Sequence, residues 1–402
     1  MLLQKIKNAF AEGGFRGFCS KAKAKAEILF FRVIYGIHCR GQYILLESVP
    51  NLSDNTKEVY DEMIRRGMNK KYHILWICWK DEERKLPEKN CGTLNFKRDT
   101  NRSSEKVGAI LKRTKCVVCC NRFVKANVPG AKTFFLTHGS PIKSTRNYYN
   151  VPKDFDYCVS PAQAMNGIIS YEFNYPPEKV VPLGFPRNDA FARAHGNPTE
   201  LFPNRYDKII VWYPTYRQHA KWEARTNSTN AIPILHNADL AARLNEYAKS
   251  LNVLIVLKPH FAQNVSYITD LKLSNILFID DSFFETHKIS SYEFIGSCDA
   301  LLTDYSSVYF DYLLADKPIG AVWEDIEEYR ENPGFALDLD HYMAGAEKIY
   351  TIDDLERFVG NVVSGNDIFA KERRAVCEEV NYSYDGKNAE RVVDFIVEKS
   401  NL

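Results

Sequence analysis

The sequence predicts an α/β fold in two similar halves, and three observations support this prediction. Short apolar stretches typical of buried strands alternate with helical stretches from residue 43 onward. The stretch 194–207, rich in Pro, Asn and charged residues, interrupts this alternation, which restarts at residue 208. The length of 402 residues suits two large domains. Two such halves imply a cleft into which the carboxyl ends of the strands open.

The predicted elements follow the apolar stretches in chain order. The first half has predicted strands at 43–49, 72–79, 116–120, 132–139 and 155–161, and helices at 57–66 and 162–171. The second half has predicted strands at 208–215, 252–260, 275–280 and 299–307, and a helix at 237–251. We therefore divide the chain into an N-terminal segment (1–36), a first domain (37–193), a linker (194–207), a second domain (208–365) and a C-terminal helical segment (366–402).

Composition excludes several classes of protein. With 53 Lys and Arg against 51 Asp and Glu, the chain lacks the basic excess of a dedicated nucleic-acid binder. The ten cysteines are scattered, which suits a reducing, cytosolic compartment. The group Cys116, Cys119 and Cys120 lies in an apolar run that predicts a buried strand; the alternative, a metal site, lacks a second ligand pair at zinc spacing. No apolar run of 18 or more residues appears, so we expect no membrane span. The first apolar runs are short and interrupted by charge, so we also expect no secretory signal.

The N-terminal segment is unusually basic. Residues 1–35 contain seven Lys or Arg against two Glu, interleaved with bulky apolar residues. This pattern is typical of a basic amphipathic segment that lies on an anionic membrane surface. The alternative is a helix packed on the protein body with a solvated basic face.

A histidine motif closes one predicted strand of the first half. In THGSPIKS (137–144), His138 stands at the strand end and Gly139 permits a tight turn. A histidine there can act as a general base because its ordinary pKa lies near neutrality. Lys143 is a candidate phosphate contact. A structural hydrogen-bonding role for His138 and a surface position for Lys143 are the alternatives.

A second motif in the first half, VPLGFPRND (181–189), is a restrained turn. It contains Arg187, Asn188 and Asp189, which we include as a candidate site loop. A well-built turn without a binding role is the alternative.

Three further motifs follow strands of the second half. WYPTYR carries Thr215 and Arg217, and LKPHF carries Lys258 and His260; these side chains predict a cationic rim suited to a diphosphate. In TDYSS, Asp304 closes a strand and the next residues open a helix. The hydroxyl groups there either cap the helix or leave its N–H groups to a phosphate. They belong to Ser306 and Ser307.

Taken in order, the motifs resemble those of the CDP-glycerol glycerophosphotransferases of teichoic-acid and capsule synthesis. The resemblance rests on T-HG-P-K, G-PRND, YPT-R, K-PH and DYSS-(V)-FDYLL-KP, and it covers roughly residues 40–360. It implies two Rossmann-like domains facing a cleft, a glycosyltransferase-B-like fold, with the acceptor on the side of the first domain and the CDP-donor on the second. The family usually has Pro after the second histidine, where this chain has Phe261. In layout the chain resembles the shorter, monotopic members that add a single unit.

The resemblance also implies roles for single residues. His138 would be the catalytic base and His260 the second catalytic histidine. The donor's diphosphate would be held by Arg217, Ser306 and Ser307, with Asp304 in the same site. Thr215 and Lys258 join this donor-binding group through their motifs.

The function expected from these observations is transfer of glycerol phosphate from CDP-glycerol to an acceptor hydroxyl, with release of CMP. We expect no obligatory cofactor or metal ion, because a cationic rim can stabilise the phosphates. The expected partners are the CDP-alditol donor, a lipid-linked or polymer glycan acceptor and an anionic membrane surface, without nucleic acid. The expected location is cytoplasmic, peripheral on the inner face of the cell membrane. The alternatives are a CDP-ribitol phosphotransferase, a glycosyltransferase that uses a nucleotide sugar, and a binding scaffold without catalysis.

Overall fold

The computed structural model of the chain contains two open sheets of mostly buried strands. It describes residues 2–79, 83–126, 128–146, 150–193, 197–215, 232–259 and 265–402. The first sheet has seven strands in the order β3-β2-β1-β4-β5-β6-β7, and the second has six in the order β10-β9-β8-β11-β12-β13. The pairings from β3 to β6 and all those of the second sheet are parallel. The prediction of an α/β fold with two parallel sheets is therefore confirmed.

The strands of each sheet are short and apolar. Those of the first sheet are β1 (Tyr43–Glu47), β2 (His73–Cys78), β3 (Cys91–Asn95), β4 (Thr114–Cys119), β5 (Lys132–Phe135), β6 (Tyr157–Ser160) and β7 (Val180–Pro182). Those of the second are β8 (Lys208–Trp212), β9 (Val253–Leu257), β10 (Ile276–Phe278), β11 (Ala300–Thr303), β12 (Ile319–Val322) and β13 (Glu347–Ile349). Central strands are buried on both faces, which explains their continuous apolar sequences.

Helices precede the first strand, occupy several connections between strands and follow the last strand. They are α1 (Leu2–His38), α2 (Asp54–Arg65), α3 (Asn101–Leu111), α4 (Asn166–Glu172), α5 (Ala238–Ser250), α6 (Ser266–Thr269), α7 (Asp281–His287), α8 (Ser291–Ser297), α9 (Val308–Tyr312), α10 (Ile326–Glu331), α11 (Leu339–Tyr342), α12 (Ile352–Ser364), α13 (Ala370–Val380) and α14 (Asn388–Ser400). Side-chain caps set several of their starts. Asn237, for example, accepts a hydrogen bond from the N–H of Leu240 at the start of α5.

The chain divides into two compact units whose segments interleave. The first unit contains Met1–His138, Asp154–Cys158 and Glu390–Leu402, and the second contains Gly139–Lys153 and Val159–Ala389. The sequence-based boundaries (37–193 and 208–365) follow the two sheets instead, since β1–β7 precede residue 194 and β8–β13 follow residue 207. Those boundaries remain a prediction.

Every strand predicted from the sequence is present, and its ends lie no more than four residues from the predicted ends. The sequence did not predict four of the strands that the structure describes: β3, β7, β12 and β13. Each lies toward an edge of its sheet, and three have only three or four residues. Such short strands carry little periodicity of their own, and pairing with a formed neighbour determines them.

The N-terminal segment forms the long helix α1. From residue 19 onward, where its side chains are described, one face packs on α3. Arg32 pairs with Glu105 at 3.0 Å, and the Tyr35 hydroxyl accepts from Arg102 at 3.0 Å. The opposite face leaves four apolar side chains more than half exposed: Leu29, Phe30, Val33 and Ile37. No helix among the described residues is both long and apolar enough to cross a bilayer.

Candidate active site

The second sheet changes strand order between β8 and β11, and two polar residues from the motifs meet there. The Asp304 carboxylate, which follows β11, accepts hydrogen bonds from the N–H of Thr215 at 2.9 and 3.1 Å and from the Thr215 hydroxyl. The N–H of Tyr305 donates to the same carboxylate at 2.6 Å. Asp304 is only 1% exposed. It therefore holds the loop that leaves β8 at the position where open α/β sheets bind ligands.

Lys258 follows β9, the neighbour of β8. Its ammonium lies 3.0 Å from the Asp281 carboxylate and 5.8 Å from the centre of the Tyr213 ring. Asp281 is three-quarters exposed, so this ion pair is accessible to solvent and weak. Lys258 is therefore only weakly held at the carboxyl edge of the sheet.

Gly139 brings three of the sequence motifs together within the second unit. Its φ of +141° belongs to the region that favours glycine, and a Cβ there would lie 2.2 Å from the Ser307 hydroxyl and 3.1 Å from a guanidinium nitrogen of Arg187. The side chains of Ser307 and Arg187 therefore lie closer to the backbone of Gly139 than a larger residue at position 139 would permit. This contact joins the turn after β5, the PRND loop and the serines that precede α9.

Arg187 forms a buried ion pair. A guanidinium nitrogen lies 2.7 Å from the Asp311 carboxylate, and the side chains are 3% and 2% exposed. The guanidinium also lies over the ring of Tyr292, 4.9 Å from its centre. Sequence reasoning missed Asp311, although its place in the FDYLL motif, one helical turn after the paired serines, was the available signal.

The two residues after Arg187 contact the C-terminal part of the chain. The Asp189 carboxylate accepts from the N–H groups of Asn388 and Ala389, each at 2.8 Å, at the start of α14. Asn188 donates to the side chain of Asn381 at 3.3 Å. In the described structure these two members of the predicted site loop secure helices, and Arg187 is the member that contacts Gly139 and Asp311.

The paired serines directly precede the short helix α9. α9 has only five residues and is followed by a 3₁₀ turn at Leu313–Ala315. Both serines are half-buried, and their carbonyls accept the N–H groups of Tyr309 and Phe310. The Ser307 side chain caps no backbone N–H at the start of α9, and its hydroxyl lies close to the backbone of Gly139.

His138 follows a backbone position that two side chains fix. Thr137 has a left-handed φ of +56°, which costs a non-glycine residue about 1–3 kcal/mol. Its carbonyl accepts from the Cys120 thiol at 2.8 Å and from the Asn55 amide at 3.0 Å. These contacts oppose the strain and set the direction in which the chain reaches His138.

Glu47 supports the same region at the switch point of the first sheet, between β1 and β4. One carboxylate oxygen accepts from the N–H groups of Cys120, Asn121 and Arg122 at 3.2, 2.9 and 2.9 Å. Burial raises the pKa of Glu47 above its ordinary value, and the three N–H donors only partly oppose this. Sequence reasoning assigned no role to Glu47 or Asn55. Their only signal in the sequence was their position in YILLESVPNLSDNTKEVYDEM (43–63), which resembles the opening strand, loop and helix of the family's catalytic domain.

The remaining predicted residues are placed as follows. Lys143 forms an isolated β-bridge with Phe335, so its segment is held by backbone pairing. Arg217, His260 and Phe261 lie outside the described residues. The predicted buried strand of Cys116 and Cys119 is confirmed as β4, with Cys120 directly after it. Among the residues the structure describes, no three His, Cys, Asp or Glu side chains are grouped as metal ligands would be.

The model of one protein family matches nearly the whole chain. Residues 29–398 match the family described as CDP-glycerol:poly(glycerophosphate) glycerophosphotransferase. The chain belongs to this family. The resemblance inferred from the motifs is thus confirmed, and the match extends beyond the range the motifs cover, into α1 and α14.

Individual relatives of this glycerophosphotransferase family member are distant. A teichoic acid ribitol-phosphate primase of Bacillus spizizenii is 26% identical over 61% of this chain and 60% of its own length. A teichoic acid glycerol-phosphate primase of the same strain is 24% identical over 93% of this chain and 97% of its own. A poly(glycerol phosphate) polymerase of that strain matches over only 49% of its length. The chain thus spans less than two thirds of two of these three relatives.

Solved structures show the same fold. A structure of the wall teichoic acid polymerase TagF superimposes with a TM-score of 0.69 at 19% identity, covering 96% of this chain and 97% of that one. A UDP-N-acetylglucosamine 2-epimerase from Listeria monocytogenes gives a TM-score of 0.50 at 11% identity. At these identities the similarity shows the α/β fold alone.

Proposed function

We propose that the protein transfers glycerol phosphate from CDP-glycerol to an acceptor hydroxyl, releasing CMP, in the synthesis of a teichoic-acid-like or capsule polymer. The observation that carries this proposal is the contact of Gly139 with Ser307 and Arg187, which joins three family motifs at one place. The family match over residues 29–398 supplies the substrate class. TagF, a structural neighbour, has been studied after a soak in a ligand abbreviated CDPG.

In the proposed reaction, His138 removes the proton of the acceptor hydroxyl, and that oxygen attacks the β-phosphorus of CDP-glycerol. The bond from this phosphorus to the bridging oxygen breaks, and CMP leaves with that oxygen. Arg217 and His260 would meet the charge of the leaving phosphate, together with Lys258. Asp304 acts as a positioning residue, because its carboxylate is already occupied by Thr215 and Tyr305.

The decisive experiment is product analysis with purified protein and candidate acceptors. CDP-glycerol, CDP-ribitol and a nucleotide sugar are supplied separately, and the released nucleotide is identified. CMP from CDP-glycerol supports the proposal. CMP from CDP-ribitol alone would favour the ribitol-phosphate alternative, which the similarity to a ribitol-phosphate primase keeps open. Release of a nucleoside diphosphate would indicate a glycosyltransferase, and no release from any donor would indicate a scaffold.

We also propose that α1 attaches the protein to the cytoplasmic face of a membrane. The exposed apolar residues of α1 share one face, because Leu29, Val33 and Ile37 recur every four residues. The basic residues of the segment suit an anionic surface. Removal of residues 1–35 should abolish sedimentation with anionic vesicles. Equal sedimentation of the truncated and full-length proteins would contradict this attachment.

A further inference from the structure

A cavity in the first unit lies at the amino ends of three strands of the first sheet. Its volume is about 440 Å³, within the range of about 300–1,000 Å³ typical of small-ligand sites. The segments that line it immediately precede β1, β4 and β5, which are neighbours in the sheet. His138 follows the opposite, carboxyl end of β5. The cavity is therefore a second site, separate from the proposed chemistry.

The cavity is strongly basic. None of the described residues that line it is acidic. Four of them are cationic: Arg40, Lys112, Arg113 and Lys115. Arg113 donates to the backbone carbonyls of Gly36 and Ala109 at 3.4 Å, which places it at the ends of α1 and α3. The other three form no ion pair within the described part of the chain. The Glu105 carboxylate, already paired with Arg32, also attracts Lys112. A bound anion would further offset the mutual repulsion of the four cations.

A buried hydroxyl adds a polar group to the cavity wall. Ser400, at the end of α14, is 5% exposed, and its hydroxyl makes no hydrogen bond of normal geometry with the described residues. The Cys116 thiol is its polar neighbour. The Ser400 hydroxyl thus adds a polar group to the wall, but its oxygen is almost inaccessible from the cavity.

The location indicates which anion would reach the cavity. The exposed apolar face of α1 ends at Ile37, and Arg40 on the cavity wall follows three residues later. Because Arg40 follows this face so closely, insertion of Leu29, Phe30 and Val33 into a bilayer would keep Arg40 near the headgroups. Phosphate groups are concentrated there, and each Lys or Arg near an anionic surface adds to binding.

We propose that this cavity binds the phosphate headgroup of an anionic phospholipid, with Lys112 and Lys115 as its principal ligands. The proposed membrane attachment determines the choice of a lipid over a free phosphate. The cavity would convert general attraction to an anionic surface into binding of a single headgroup. It would also fix the orientation of the first unit on the membrane.

The test uses the full chain and short-chain lipids that stay monomeric in solution. Dihexanoyl phosphatidylglycerol, dihexanoyl phosphatidylcholine and inorganic phosphate are titrated separately by calorimetry, without nucleotide. We expect saturable binding of the phosphatidylglycerol and at least about tenfold weaker binding of the other two. Because no CDP-glycerol is present, the result does not depend on the proposed transfer reaction. Equal binding of inorganic phosphate, or no saturable lipid binding, would overturn the proposal.

Three variants distinguish lipid binding in the cavity from a general effect of net charge. Lys112→Gln/Lys115→Gln should weaken phosphatidylglycerol binding about tenfold or more, whereas Lys89→Gln/Lys97→Gln, with the same change of net charge at exposed positions, should not. Ala131→Trp fills the cavity without changing charge and should also weaken binding. If it fails to fold, Ala131→Leu replaces it. Unchanged lipid binding in the cavity variants would overturn the proposal.

Discussion

The guanidinium of Arg187 lies 2.7 Å from the carboxylate of Asp311, and both side chains are almost completely buried. Removal of one member of such a pair leaves an uncompensated charge in the interior. Asp311→Ala should therefore lower the free energy of unfolding by about 3–5 kcal/mol. Urea unfolding measures this. Arg187→Met/Asp311→Leu, which removes both charges, should recover most of the loss, and equal destabilisation of the single and double variants would contradict the interpretation.

Gly139→Ala should be much more damaging than an ordinary glycine substitution. The new Cβ would lie 2.2 Å from the Ser307 hydroxyl, in addition to the strain of the positive φ. Gly365 is the matched control, because its φ is also positive (+72°) but nothing lies within 4 Å of a Cβ there. We expect Gly365→Ala to cost about 1 kcal/mol in unfolding free energy and Gly139→Ala several times more. Gly139→Ala/Ser307→Gly should recover part of the difference.

Asp304 and Asp299 provide a matched pair at opposite ends of β11. Asp304 accepts a hydrogen bond from Thr215, beyond the carboxyl end of β8. Asp299 accepts hydrogen bonds from the Lys208 ammonium and the N–H of Ile209, at the amino end of β8. Each Asp→Asn change should lower the unfolding free energy by about 1–3 kcal/mol. Only Asp304→Asn should also weaken CDP binding, measured by calorimetry. Equal CDP affinities would place the nucleotide elsewhere.

Glu47→Gln should alter the pH dependence of stability. Burial raises the pKa of Glu47 in the folded state, so the folded protein holds this proton more tightly than the unfolded chain. Its contribution to stability therefore falls as pH rises from the unfolded pKa through the folded one. Glu47→Gln should not show this fall. The unfolding free energy of the variant minus that of the parent should therefore be larger at about pH 8 than at about pH 4. Unfolding in urea at both pH values checks this.

Asp156 should give the opposite pH dependence of stability, because its pKa is lowered in the folded state. Burial alone would raise its pKa, but hydrogen bonds from Lys132 and Thr133 hold that pKa below its ordinary value. The stabilisation is present above the unfolded pKa and is lost as pH falls through the folded one. Asp156→Asn should therefore cost more stability at neutral pH than at low pH. The same pH trend in both variants would contradict the assignment for Glu47.

His138→Ala should separate catalysis from binding. If His138 is the general base, the variant keeps its fold and its affinity for CDP-glycerol, and kcat falls by about 10²–10⁴-fold. The rate should also lose its dependence on a group that titrates near neutrality. His138→Gln preserves some hydrogen bonds without a useful base. CMP release by this variant at the parental rate, with acceptor present, would show that His138 has only a structural role.

The sequence by itself determined the two sheets and the positions of the motifs. Runs such as VLIVL (253–257) predict buried strands because parallel strands covered on both faces need continuous apolar sequence. Polar residues directly after those strands then had to lie at the carboxyl edges, which placed Thr215, Asp304 and His138 correctly relative to their strands. The family followed from the order of the motifs.

Only the tertiary structure decided which polar groups meet. Arg187 and Asp311 are 124 residues apart, and no local pattern predicts that their charges pair inside the protein. Cys120 and Asn55 meet at the carbonyl of Thr137, because the sheet order places β1 and β5 on either side of β4. The basic cavity depends in the same way on three strands that are adjacent in space but separate in sequence. Side-chain chemistry is local, whereas its partners are set by the packing of distant segments.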